Sequence, residues 1–62
     1  MIGALVRHHD HGRGVIIEKW LTGEGETEYL IFLENPIVWG PDEIYQTYWA
    51  PNESAFEVLS EA

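Results

Sequence analysis

No cysteine occurs among the 62 residues, so neither a disulfide nor a thiolate metal site can supplement the hydrophobic core. Basic residues are almost as scarce, with three Lys and Arg against eleven Asp and Glu and a formal charge of −8 at pH 7. That balance opposes generic binding to nucleic acid, whose affinity rests largely on Lys and Arg neutralising phosphates. It favours a partner with a basic surface, because complementary potentials steer association, and it also keeps a small domain in solution. No apolar run approaches membrane-spanning length, no signal-peptide pattern opens the chain, and there is no linker, repeat or low-complexity stretch. The expectation is one domain over residues 1–62, soluble and cytoplasmic. At this size a core only just outweighs chain entropy.

What the chain does contain is a series of short strand signals. The first strand is expected over Ala4–His8, followed by a turn at His9–Arg13. In that turn region Gly12 and Gly14 stand one residue apart, where left-handed angles or a tight corner would exclude side chains. The second strand runs from Gly14 to about Leu21 and contains the β-branched run Val15-Ile16-Ile17. Thr22–Glu26 reads as a Gly-rich hairpin loop, and Thr27–Leu33 as the third strand, with the unbroken apolar run Tyr29–Leu33.

Glu34–Asp42 holds two prolines and a glycine and is expected to be a loop, since proline removes a ladder donor. The fourth strand takes Ile44 to Trp49 or Ala50. Pro51–Ala55 suits one helical turn capped by Asn52 or Ser54, Phe56–Leu59 closes the sheet, and Ser60–Ala62 is expected to fray. No segment sustains a 3.6-residue period. The predicted class is all-β: five short strands with a helical turn before the last, as in an SH3-like barrel.

These residues resemble a bacterial RNA polymerase-interacting domain, the Tudor-like barrel of CarD-type regulators and of the transcription-repair coupling factor. The likeness is carried by Val6-Arg-His-His-Asp-His-Gly-Arg-Gly14, by Glu28-Tyr-Leu-Ile-Phe32 and, more loosely, by Trp49-Ala-Pro51. His9 stands where that family has proline, and the Asn35–Asp42 connection is longer than usual. The His-x-x-x-Gly-x-Gly pattern is also similar to a C-terminal Tudor-like domain of certain DNA helicases. The resemblance implies docking to the polymerase β-subunit lobe through the second and third strands, without the DNA-contacting helical half of CarD proteins. In that reading His8, Gly12 and Gly14 shape the turn.

Alternation along the third strand suggests that Leu30 and Phe32 fill the core while Tyr29, Ile31 and Leu33 face outward. That outward strip, joined by Lys19 and Trp20 from the neighbouring strand, is the expected partner-binding surface, with strand addition supplying main-chain hydrogen bonds. Alternatively, Trp39 and Pro41 fold back and cover it. His8-His-Asp-His11 contains metal-ligand residue types, but neighbours on a strand point to opposite faces, so no metal is assigned and no cofactor is expected. His8 is read as partly buried, His9 and His11 as solvent-facing. Tyr45, Tyr48 and Trp49 beside Asp42 and Glu43 pose the alternative of an aromatic cage for a methylated side chain.

No acid/base pair, nucleophile motif or phosphate-cradling loop is recognisable, so an enzyme is not expected. The expected partner is a protein, with bacterial RNA polymerase β subunit foremost, and neither nucleic acid nor membrane. An acidic mimic of DNA, of phage or other origin, and a homodimeric structural module are the other readings.

Overall fold

In the computed structural model, which describes residues 1–61, every strand belongs to one antiparallel sheet. The strands are β1 (Leu5–His8), β2 (Gly12–Leu21), β3 (Thr27–Gly40), β4 (Glu43–Ala50) and β5 (Phe56–Ser60). Their order across the sheet is β4-β3-β2-β1-β5, with a 3-10 turn at Glu53–Ala55 before β5. This is an all-β, SH3-like arrangement. Asn52 caps the 3-10 turn, its side-chain oxygen accepting from the Ser54 amide at 2.9 Å. Among the described residues no helix is long and apolar enough to cross a membrane.

The sheet curls until strands that are not neighbours touch. Tyr29 on β3 meets Phe56 on β5 edge-to-face, ring centres 5.5 Å apart. Tyr48 on β4 meets His8 on β1 in the same manner at 4.9 Å. The interior holds Ala4, Val6, Ile16, Tyr29, Ile31, Leu33, Ala50 and Phe56, with Ile37, Tyr48 and Ala55 packed around them. Each fully buried aliphatic side chain there contributes about 1.5–3 kcal/mol of transfer free energy, which is large against a domain of this size.

Two irregularities set the geometry. The first is in β2: Ile16 pairs with Ile31 but Glu18 pairs with Leu30, so Ile17 is an extra residue. An extra residue exchanges the two faces of everything beyond it. Trp20, which a regular strand would share with Ile16, is thereby carried to the opposite face, across from Glu28. The second is in β3. Phe32 pairs with Thr47 and Ile37 with Tyr45, so Leu33–Pro36 bulge against Gln46, whose amide donates to the Leu33 carbonyl.

That bulge corrects the expected Glu34–Asp42 loop. Pro36 sits where no ladder donor is needed, so β3 passes through it to Gly40, and only Pro41 and Asp42 turn. The predicted start of β2 at Gly14 also moves, to Gly12. Ser60, expected to fray, ends β5, while Ala62 lies outside the described residues.

Tyr29 links β3 to the 3-10 turn, its hydroxyl donating to Glu53 Oε1 at 2.7 Å. The hydrogen bond to Glu53, then burial, then the carboxylate's charge raise the phenol above its ordinary value of 10.0. Because the folded state resists ionisation more than the unfolded chain, this contribution is complete below pH 10.0 and is lost as pH rises past it. Tyrosinate absorbance on alkaline titration should show a phenol ionising above 10.0, and Glu53→Gln should lower its titration point.

Candidate functional site

Pairing register sorts the side chains of the sheet into two faces. Tyr29 and Ile31 lie opposite Ala50 and Tyr48, on the inner side, while Leu30 and Phe32 lie opposite Trp49 and Thr47, on the outer side. This reverses the expected phase of β3. Ile31 and Leu33 are fully buried and Tyr29 nearly so, whereas Phe32 is 49 % exposed. Tyr29, Ile31 and Leu33 are therefore core residues rather than a contact strip. The physical reason is that five consecutive apolar residues carry no alternation, so partners across the ladder decide the phase. Trp39 and Pro41 do not provide the cover either, for Trp39 is 70 % exposed. The strip is covered by the curled sheet itself.

An apolar exterior nevertheless exists, on the other side. Leu5, Val15, Phe32 and Thr47 are register partners in one row across β1, β2, β3 and β4. Leu5, Val15 and Phe32, with Gly14, Arg13 and Glu34, line a shallow depression of about 310 Å³. Glu18, Leu30 and Trp49 form the next row, and Trp20 with Glu28 the one after. Trp20 thus lies on this apolar face beside Leu30 and Phe32, not beside Tyr29, Ile31 and Leu33. Lys19 lies across from Tyr29 and is exposed.

Charge is unevenly spread over this face. Arg13 makes a two-pronged pair with Glu34, at 3.1 and 3.3 Å, and Arg7 pairs with Glu57 at 2.8 Å. All four groups are more than half exposed, so these pairs add little stability, but they neutralise both arginines at the β1–β2 end. At the far end Glu18 and Glu28 flank Leu30 and Trp20. The face therefore runs from a neutral end to an acidic one.

Strand addition also meets a constraint. β3 lies between β2 and β4, so both its edges are occupied. β2 differs along its length: β1 covers Gly12–Val15 and the Gly3 and Ala4 backbone reaches Ile16, but among the described residues no strand pairs with Ile17–Leu21 on the side away from β3. That half of β2 is an open edge, with Ile17, Trp20 and Leu21 all exposed.

Sequence reasoning missed Leu5, Val15 and Phe32 as residues of the outer face, and considered Trp49 only as part of an aromatic cage. The available signal was the pairs of adjacent apolar residues on successive strands, Leu5-Val6 and Val15-Ile16, which make a sheet apolar on both faces.

Gly12 adopts φ +83° and pairs with His8. Gly14 serves a different need, because a Cβ there would lie 2.5 Å from the Phe32 carbonyl oxygen. His8 is buried, 5 % exposed, and its Nδ1 accepts from the Asp10 amide at 3.0 Å. His11, expected in solvent, is half-buried, its ring 4.8 Å from His8 and 4.6 Å from Tyr48. His9 is exposed and its Nε2 meets the Ser54 carbonyl at 3.2 Å. Among the described residues no three His, Cys, Asp or Glu side chains are grouped to hold a metal ion. Tyr45, Tyr48 and Trp49 form no cage: Tyr48 packs on the two histidines and Trp49 stands across from Leu30 on the opposite face.

Fold and surface together define a small barrel-like domain with an apolar outer face and one half-open internal strand. Compared with family models, curated proteins and solved structures, the chain matches none.

Proposed function

We propose that this protein is a non-enzymatic interaction module that docks onto a larger protein through the open half of β2 and the outer face beside it. The single observation that carries the reading is Ile17–Leu21. It is a strand edge without a neighbour among the described residues, carrying the exposed Trp20 and continuous with Leu30, Phe32 and Val15. An added strand would gain main-chain hydrogen bonds along that edge, with Trp20 and Phe32 as apolar anchors. Glu18 and Glu28, together with the overall charge of −8, favour a partner with basic residues around an apolar patch.

The partner we propose is bacterial RNA polymerase, at its β-subunit lobe, which would make the protein a small transcription regulator. This follows from the likeness of Val6–Gly14 and Glu28–Phe32 to polymerase-interacting domains, whose second and third strands face that lobe. The geometry makes the second strand the one that offers an edge.

Titration of labelled protein with purified polymerase tests the proposal. Trp20→Ala and Phe32→Ala are each expected to weaken binding by at least about tenfold, roughly 1.4 kcal/mol, while the fold persists. Absence of binding by the unaltered protein removes polymerase as the partner. If sedimentation shows a dimer that Trp20→Ala dissociates, the face serves self-association instead.

A further inference from the structure

We propose that His8, His11 and Tyr48 form a proton-operated clasp that holds the β1–β2 turn against β4 and releases it on mild acidification. The proposal is independent of any docking partner.

The sheet order places β4 and β1 far apart, joined in the ladder only through β3 and β2. Contact between the β1–β2 turn and β4 is made by rings. His8 and His11 stack at 4.8 Å, and Tyr48 lies against them at 4.9 and 4.6 Å. Three aromatic rings at these separations form a packed cluster that closes His8 off from water.

The hydrogen bond at His8 defines its state. Nδ1 accepts from the Asp10 amide, so neutral His8 carries its proton on Nε2. A second proton must go to Nδ1, where it would face the Asp10 N–H and abolish that bond. Protonation of both histidines would also set two like charges side by side in a site that His8 shares with little water.

The groups around His8 bear this out. His9, Asp10 and His11 face it from the turn, and Tyr48 from β4. Arg7 and Arg13, neighbours on the paired strands, are engaged with Glu57 and Glu34 on the outer face. Burial, then His11, lower the His8 pKa from 6.5, Asp10 opposes them, and His9 adds to the lowering. The unfolded chain therefore takes up the proton more readily than the folded one. The stabilisation is complete above pH 6.5 and is lost as pH falls below it.

The experiment follows imidazole C–H resonances and amide-exchange protection of the full chain from about pH 7.5 to pH 5, above the ordinary carboxylate range. Expected is titration of His8 below its ordinary value, with the protection factors of Asp10 and Gly12 falling by about tenfold while those of Ile16 and Ile31 hold. His11→Gln, which keeps a polar side chain in the turn, should raise the His8 titration point and weaken the acid response. Turn protection that stays constant across this range overturns the clasp. So does loss of protection that is equal in the turn and in β2–β3, for then the cluster only sets global stability.

Discussion

Replacing Ile31 with alanine is expected to remove a large share of the protein's folding stability. Ile31 has no solvent exposure and sits at the centre of the sheet, paired with Ile16 on one side and Tyr48 on the other. Truncating such a residue costs about 2–5 kcal/mol, from lost transfer energy and from the cavity left behind. A chain of 62 residues has only about 3–9 kcal/mol of total stability, so the loss is a large share of it. Phe32, the next residue, is half exposed and should cost about 1–2 kcal/mol on truncation, because part of its surface already meets water. Urea denaturation of the two variants measures the difference. Should Phe32→Ala prove the costlier, the assignment of inner and outer faces on β3 would be reversed.

The second large effect belongs to Gly14. A methyl group added there would lie 2.5 Å from both Ile31 Cγ2 and the Phe32 carbonyl oxygen, and 3.2 Å from Leu33 Cα. Two of those atoms are backbone of β3, which can yield only by breaking the β2–β3 ladder. Gly14→Ala is therefore expected to cost about 3 kcal/mol, at the upper end for overpacking. Gly12 supplies the control. Its Cβ would meet nothing within 4 Å, but the residue has φ +83°, so Gly12→Ala carries only the left-handed backbone penalty of about 1–2 kcal/mol. Thermal midpoints of the two variants should rank Gly14→Ala well below Gly12→Ala. Equal midpoints would mean that the strands separate there without loss.

The order and number of strands were legible because turn residues punctuate the chain. Gly12, Gly23-Glu24-Gly25 and the Pro51–Ser54 segment interrupt apolar runs at intervals suited to short strands. His8 was legible as well, since a histidine just before a glycine turn has a local role to fill. The faces of β3 were not legible. Tyr29-Leu-Ile-Phe-Leu33 contains no polar residue to mark the solvent side, and the ladder partners that decide its phase are remote in sequence. Nor could the position of Trp20 be read, because the extra residue at Ile17 is a β-branched residue like its neighbours and leaves no mark. Pro36 misled for a local reason. Proline argues against a ladder, and its tolerance depended on Gln46 bonding to a carbonyl three residues earlier.

Beyond that proline the paired segments Val38–Gly40 and Glu43–Ile44 run on as a two-stranded blade, with Val38, Trp39 and Ile44 all well exposed. None of these three side chains belongs to the buried cluster, so two tiers of cooperativity are expected. Its shared interior must melt as one, whereas the blade can open and close while the remainder stands. Sequence drift is accordingly cheaper at the blade's tip than at its base, where Gln46 bonds to the Leu33 carbonyl and Ile37 packs against the interior.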